Sequence, residues 1–272
     1  MGNPKRQIGP FNFTSDEDHP QFVSAVARGF SILRCFDHGE QYLGNLEIAR
    51  RTGLPKPTVS RLTFTLSTLG YLSYSRAQEK YALGTAVLSL GHAYLQCNPV
   101  VAIARPLMQD LAEHSGASVM LAAPDGMRMV LLATCHAAAV QCQLREAGLR
   151  VPHSTTALGR ADLAARPAEL FERELAELRK DCQPASWPRV RDSILRARQE
   201  YQQLGFCLSL GDWNPKFFAV GVPMVSADGE RILAFNCSGP LEVVTRERLL
   251  QDLGPRLVAL RDQVHAITGG RF

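Results

Sequence analysis

The stretch Arg51-Thr52-Gly53-Leu54-Pro55-Lys56-Pro57-Thr58-Val59-Ser60-Arg61-Leu62 constrains the fold of this chain more than any other. Gly53 tolerates the left-handed conformation that closes a helix, so a helix fitted by residues 44–51, burying Leu46, Ile48 and Ala49, stops there. Pro57 suits a first helical turn, where the amide it lacks would be unpaired anyway and its fixed backbone angle is already helical. In the helix it launches, Val59, Leu62, Leu66 and Leu69 recur at steps of three and four and face a core, while Lys56, Thr58, Ser60, Arg61 and Thr65 point elsewhere. Upstream, Phe22, Val26, Phe30 and Leu33 make one apolar face of an earlier helix, ended by His38-Gly39-Glu40. Downstream, Gly70 ends the proline-led helix, and residues 71–74 and 80–83 read as short strands around the polar tip at residues 75–79. Three helices and a hairpin form a winged helix-turn-helix.

The outward face of the third helix is short, polar and basic. Between Ile48 and Lys80 the charged residues are Arg50, Arg51, Lys56, Arg61, Arg76 and Lys80 against Glu79 alone, although the whole chain of 272 residues carries only +4. Such a local excess can meet a phosphate backbone. Set in a major groove, the first turns of a helix present arginine to guanine and hydroxyls to bases or phosphates. Double-stranded DNA is therefore the expected partner, with Lys56, Thr58, Ser60 and Arg61 near the bases, Arg28, Arg76 and Lys80 on phosphates, and Thr65 also on the DNA-binding face. A helical hairpin in a larger all-α domain would share the apolar spacing but needs neither the basic wing nor the hydroxyl-rich face.

Beyond the wing, Val87, Leu88, Gly91, Tyr94 and Leu95 form a helical stripe broken at Asn98-Pro99, expected to be a linker helix and a seam between two copies. A helix over residues 100–114 keeps Val101, Ala104, Met108 and Leu111 on one side, with Pro106 as a kink. Strand signals then follow: residues 118–121 and 129–132 around Pro124-Asp125-Gly126, and residues 140–144 as a third strand. Helices are expected over 155–165 and 189–204, strands near 206–209, 218–225 and 232–237, and a last helix over 245–267. The fold class is α+β, with an antiparallel sheet flanked by helices. The division expected is a flexible arm (1–20), a winged helix-turn-helix (21–83), a linker helix (84–99) and an effector-binding domain (100–272).

Other functions find less support. Hydrophobic residues make up 46% of the chain, yet no run nears the roughly 18 to 20 unbroken apolar residues of a membrane span, and no secretory signal opens it. A cytoplasmic protein with no membrane partner is expected. The seven cysteines are scattered without a C-x-x-C pair, so buried free thiols are expected rather than disulfides or a zinc ribbon, and no cofactor or metal is called for. A metal- or redox-sensing regulator could use Cys135, His136 and Cys142, but further ligands are not evident. An enzyme could draw on His136, His153, Asp212, Cys237 and Ser238, yet no nucleophile elbow, phosphate loop or H-E-x-x-H pair is present.

Four ordered segments resemble the IclR family of bacterial transcriptional regulators: AVARGFSILRCF, EIARRTGLPKPTVSRLTFTLSTLGYL, VPHSTTALGRADLAA, and GFCLSLGDWNPKFFAVGVPM followed by ILAFNCSGP. The resemblance runs from Phe22 to Thr268. It implies a winged helix, a linker helix and a GAF-like effector domain, acting as a homodimer or dimer of dimers on promoter palindromes in response to a small organic or aromatic acid. It further implies Arg28 as the arginine of the first helix, Asp212 at an acidic position, and Asn236 and Ser238 at pocket-facing positions. Two departures stand out: Arg160 where lysine is more usual, and Ala219 where some relatives carry a polar or thiol side chain.

The helix start at Ser154-Thr155-Thr156-Ala157-Leu158-Gly159 offers free amides and a dipole to a carboxylate, with threonine hydroxyls adding donors. With Asp212, Asn236 and Ser238 on the polar side and Met120, Leu144, Trp213 and Phe218 as apolar walls, a hydroxylated aromatic acid is expected in preference to a short 2-oxo acid. Cys237 either lines the same cavity or is a small core residue. Thr155 and Thr156 can equally be mere helix caps, and Asp212 mere turn chemistry.

Overall fold

The computed structural model describes residues 20–36, 40–138, 140 and 146–272. The described residues form two compact units that divide between Cys97 and Asn98. The end of the first helix at His38-Gly39, most of the expected strand over 140–144, with Leu144 and Cys142, and residues 1–19 of the expected arm lie outside them.

The first unit holds α1 (Ser24–Arg34), α2 (Asn45–Thr52), α3 (Lys56–Thr68), the hairpin β1 (Leu72–Ser75) and β2 (Lys80–Leu83), and α4 (Ala86–Gln96). Gly53 caps α2 at φ 69°, and Pro57 sits in the first turn of α3. Ile32, Phe36, Leu43, Ile48, Val59 and Leu72 make the core, with Leu54, Leu62, Leu66 and Tyr81 packed against it. Leu43 bridges to Tyr81 and adds one rung beside the hairpin. Five expected core positions are exposed. Phe22, which precedes α1, and Val26 and Phe30 on it stay exposed because α1 turns a neighbouring side inward, roughly a quarter turn away, with Ile32 and then Phe36. Leu46 lies on the outer side of α2, and Leu69 follows the last turn of α3, where the chain leaves the core. No residue of α4 is buried, and Leu88, Leu90 and Tyr94 are exposed along it.

The second unit runs α5 (Pro99–Ser115), β3 (Ser118–Asp125), β4 (Arg128–His136), β5 (Arg150–Pro152), α6 (Ala157–Ala165), α7 (Ala168–Asp181), α8 (Trp187–Leu204), β6 (Cys207–Leu210), β7 (Phe217–Val225) and β8 (Ile232–Pro240). The chain ends in α9 (Arg246–Arg248), a π-helical turn at Leu249–Leu253, and α10 (Gly254–Thr268). Six antiparallel strands in the order β5-β4-β3-β8-β7-β6 make one sheet, with α6 and α8 packed on its strands from one side and α5 and α10 from the other. The α+β class with helix-flanked antiparallel sheet is borne out. Neither α7 nor β5 was expected. The apolar stripe of α7, Phe171 and Leu178, is interrupted by Glu174, which is buried because Arg166 lies 3.6 Å away. Three-residue β5 is too short to show alternation and ends in a proline that only an edge strand accommodates. Among the described residues, no single helix is long and apolar enough to cross a membrane.

Of the six cysteines described, all free, Cys135, Cys207 and Cys237 are buried, Cys35 and Cys182 are half-buried, and Cys97 is exposed, so burial holds only for part of the set. No three His, Cys, Asp or Glu side chains gather for a metal among the described residues.

Candidate functional site

Helix α3 buries Val59 and Thr63 and exposes Lys56, Ser60, Arg61 and Thr65, with Thr58 half-buried at the margin. The inward Thr63 hydroxyl donates to the Val59 carbonyl at 3.0 Å, which is how a polar residue occupies the core side. No acidic residue lies on the helix, so its outer face is positive. Thr65 is exposed, but its hydroxyl donates to the Arg61 carbonyl at 3.0 Å. Arg28 on α1 and Arg76 at the wing tip are exposed. Lys80 has a partner within its own unit: its Nζ lies 3.4 Å from Glu47, whose carboxylate accepts the Gly44 amide at 2.8 Å. That amide first, and Lys80 second, hold the Glu47 carboxyl below its ordinary range. Phe64, 73% exposed on the outer face, is a feature the hydrophobic pattern did not flag.

In the second unit a cavity of about 30 Å³ lies between the start of α6 and the sheet, room for one or two water molecules. It is lined by seven expected residues: Met120, Thr156, Ala157, Leu158, Trp213, Asn236 and Ser238. Val151, Ser209, Asn214, Phe217 and Ala219 complete it. Cross-strand register explains this set, because Met120 faces Asn236, and Ser238 faces Ala219, which in turn faces Ser209. The Asn236 side-chain oxygen is buried and has no hydrogen-bond partner. Burying an acceptor unpaired is costly, so this atom is suited to a donor brought by a ligand.

Backbone contact seats the helix start on the sheet. A Cβ on Gly221 would come within 2.2 Å of the Ala157 carbonyl oxygen, and one on Gly159 within 1.9 Å of that of His153. Only glycine permits both approaches. Thr156 is the N-cap: its hydroxyl accepts from the Gly159 amide at 3.2 Å and donates to the Pro152 carbonyl at 2.7 Å. The amides of Ala157 and Leu158 belong to the same first turn, whose donors have no partner inside the helix.

Among the described residues, five expected effector residues do not line the cavity, each for a visible reason. Asp212 accepts from Arg160 at 2.9 Å and from the Leu210 amide at 3.3 Å, which ties down the start of the Trp213 loop. Arg160 also donates to the Leu208 carbonyl and to Ser193, contacts a lysine in its place would not all reach. Gly159 is needed for the close backbone approach, and the Thr155 carbonyl is held by the Ser209 hydroxyl at 2.9 Å. Phe218 and Cys237 alternate with the lining residues beside them, so both side chains turn to the opposite face. There burial pushes the Cys237 thiol up to about 11, against the lowering effect of Ser115 beside it. The residues considered for catalysis are likewise apart: His153 pairs with Asp162, Asp212 with Arg160, and Cys237 and Ser238 lie on opposite faces.

Directly behind α6, His153, Asp162, Arg166 and Glu174 form a buried polar cluster. His153 Nε2 lies 2.7 Å from Asp162 Oδ2, and Arg166 Nε donates to the same oxygen at 2.9 Å. Burial pushes the Asp162 carboxyl up, but His153 and Arg166 together outweigh it and hold the group below its ordinary range.

A winged helix with a positive reading face, and a separate sheet unit enclosing a small, partly polar cavity, define a DNA-binding protein that responds to a ligand. Residues 25–76 match the IclR helix-turn-helix domain, and residues 92–266 the bacterial transcriptional regulator IclR C-terminal domain. The chain is similar to the HTH-type transcriptional regulator TsaQ1/TsaQ2 of Comamonas testosteroni, 35% identical over 90% of this chain and 88% of that protein. It is 23% identical to the p-hydroxybenzoate hydroxylase transcriptional activator of Acinetobacter baylyi, over 87% of this chain and 88% of that one. The crystal structure of an IclR family transcriptional regulator from Brucella abortus superposes with a TM-score of 0.85 at 40% identity, covering 91% of this chain and 93% of that one. The chain belongs to the IclR family of transcriptional regulators.

Proposed function

We propose that this regulator controls a catabolic operon in response to a hydroxylated aromatic acid bound in the α6 cavity. The observation that carries the reading is the buried, unpartnered side-chain oxygen of Asn236, set in the same cavity as the first turn of α6. A ligand hydroxyl donates to that oxygen while its carboxylate meets the Ala157 and Leu158 amides at the positive end of the helix. Met120, Leu158, Trp213 and Phe217 supply the apolar walls for a ring. A cavity of about 30 Å³ does not hold a ring as it stands, so binding displaces the loop that carries Trp213 and Asn214. The similarity to an activator of p-hydroxybenzoate hydroxylase supports this class of ligand. Calorimetry with 4-hydroxybenzoate and benzoate tests it. Wild type is expected to favour the hydroxylated acid and Asn236→Leu to lose that preference, whereas equal affinities in both proteins would remove the assignment.

On the DNA side, Lys56, Thr58, Ser60 and Arg61 read bases, and Arg28 and Arg76 hold phosphates. Thr65 has a lesser part because its hydroxyl proton is used on its own helix, and Lys80 acts mainly on Glu47. A single winged helix covers one half-site, so the active form is a homodimer or dimer of dimers. The exposed apolar residues in and just before α1 and along α4, Phe22, Val26, Phe30, Leu88 and Tyr94, are the proposed seam. Light scattering that shows only a 29.9 kDa particle at micromolar concentration would exclude it.

A further inference from the structure

We infer that Phe64 is a sequence-reading residue that packs against the 5-methyl group of a thymine in the operator. The inference rests on the proposed reading of the outer face of α3 as the base-contacting surface. Phe64 is 73% exposed, more than any other aromatic side chain among the described residues. It follows Ser60 by four residues and Arg61 by three, so it continues their stripe one turn further along the helix.

The polar side chains around it leave this turn to Phe64. The Thr65 hydroxyl donates to the Arg61 carbonyl and the Thr68 hydroxyl to the Phe64 carbonyl, each at 3.0 Å, so both donors are turned back onto the helix. Thr63 is buried and turned into the core. What the third turn offers a major groove is therefore an apolar ring, with Arg61 one turn before it, Lys56 at the start of the same helix and no acidic group on the helix. Those charges select a polyanion over an apolar protein surface as the occupant. The exposed apolar group in the major groove is the thymine methyl, and phenylalanine is among the side chains that contact it.

The test uses the full chain and a library of duplexes with a randomised central region. Sites are selected with wild type, Phe64→Ala and Phe64→Leu, and the wild-type consensus is then remade with uracil at each thymine in turn. Wild type is expected to enrich thymine at one position of each half-site. Phe64→Ala should lose the preference at that position alone, and Phe64→Leu should keep part of it. Uracil there should weaken wild-type binding about fourfold, the effect of about 0.8 kcal/mol for one buried methyl-sized group, and leave Phe64→Ala unaffected. The proposal is overturned if all three proteins select the same bases at every position, or if uracil is harmless at every thymine. It is also overturned if Phe64→Ala changes the oligomer seen by light scattering while leaving the selected site intact. Failure of all three proteins, wild type included, to enrich a site would overturn the base-reading face together with Phe64, a result distinct from loss of thymine at one position.

Discussion

Replacing Asp162 with asparagine removes the anion at the centre of a buried polar cluster. The side chains of His153 and Asp162 are fully buried, and that of Arg166 is 10% exposed. Without the carboxylate, the Arg166 guanidinium keeps only Glu174, at 3.6 Å. Removing one partner of a buried pair costs about 3–5 kcal/mol, because the other charge stays in a medium of low polarity. An asparagine oxygen still accepts one hydrogen bond and Glu174 still offers its charge, so about 3 kcal/mol is expected. In a unit of this size that lowers the melting temperature by about 6–12 °C. Both tryptophans, Trp187 and Trp213, lie in the second unit, so urea melts followed by tryptophan fluorescence report on that unit even if the two unfold separately. Asp181→Asn, at the exposed end of α7, serves as the control. The pH dependence gives a second readout. Because the folded carboxyl titrates below its ordinary range, its contribution is complete above the unfolded value of about 3.9 and is lost as pH falls through the folded value. The gap between wild type and Asp162→Asn should hold at neutral pH and close only in strong acid. A gap under about 1 kcal/mol at pH 7, or one that closes well above pH 5, would refute the reasoning.

Three further outcomes follow from the geometry. Gly159→Ala drives a methyl into the His153 carbonyl and should destabilise the second unit by about 3 kcal/mol in the same melts; a loss under about 1 kcal/mol would show that the segment before α6 yields easily. Asp212→Ala leaves Arg160 buried without its anion, so it should cost about 2 kcal/mol of stability while the preference for hydroxylated over plain acids, measured by calorimetry, survives. Arg61→Ala should weaken operator binding by about 1–3 kcal/mol and relax specificity, whereas Arg76→Ala should weaken all sequences alike and reduce the salt slope by about one; gel-shift titrations at several salt concentrations separate the two.

Much of this protein is decided locally and could be read from the chain. Gly53 and Pro57 set a helix end and a helix start through backbone sterics alone, and a run such as Val101, Ala104, Met108 and Leu111 carries its period in adjacent turns, so α2, α3, α5 and the hairpins are legible. Thr156 and its following amides likewise mark the cavity edge by cap chemistry. Which side of an element faces inward is a different matter, because it depends on what packs there. Ile32 took the place expected for Phe30, and Phe217 with Ala219 took the place of Phe218, since strand alternation admits two faces and only the α6 contact chooses between them. Asp212 could not be placed from its neighbours in sequence: its partner Arg160 is 52 residues away, and an ion pair over that distance exists only once α6 lies on the sheet. Glu174 hid a helix for the same reason, as a buried charge is intelligible only beside the arginine that holds it. Sequence periodicity thus determined the elements and their order, while the tertiary structure decided which polar atoms were satisfied, leaving the buried oxygen of Asn236, a cavity-lining residue, without a partner.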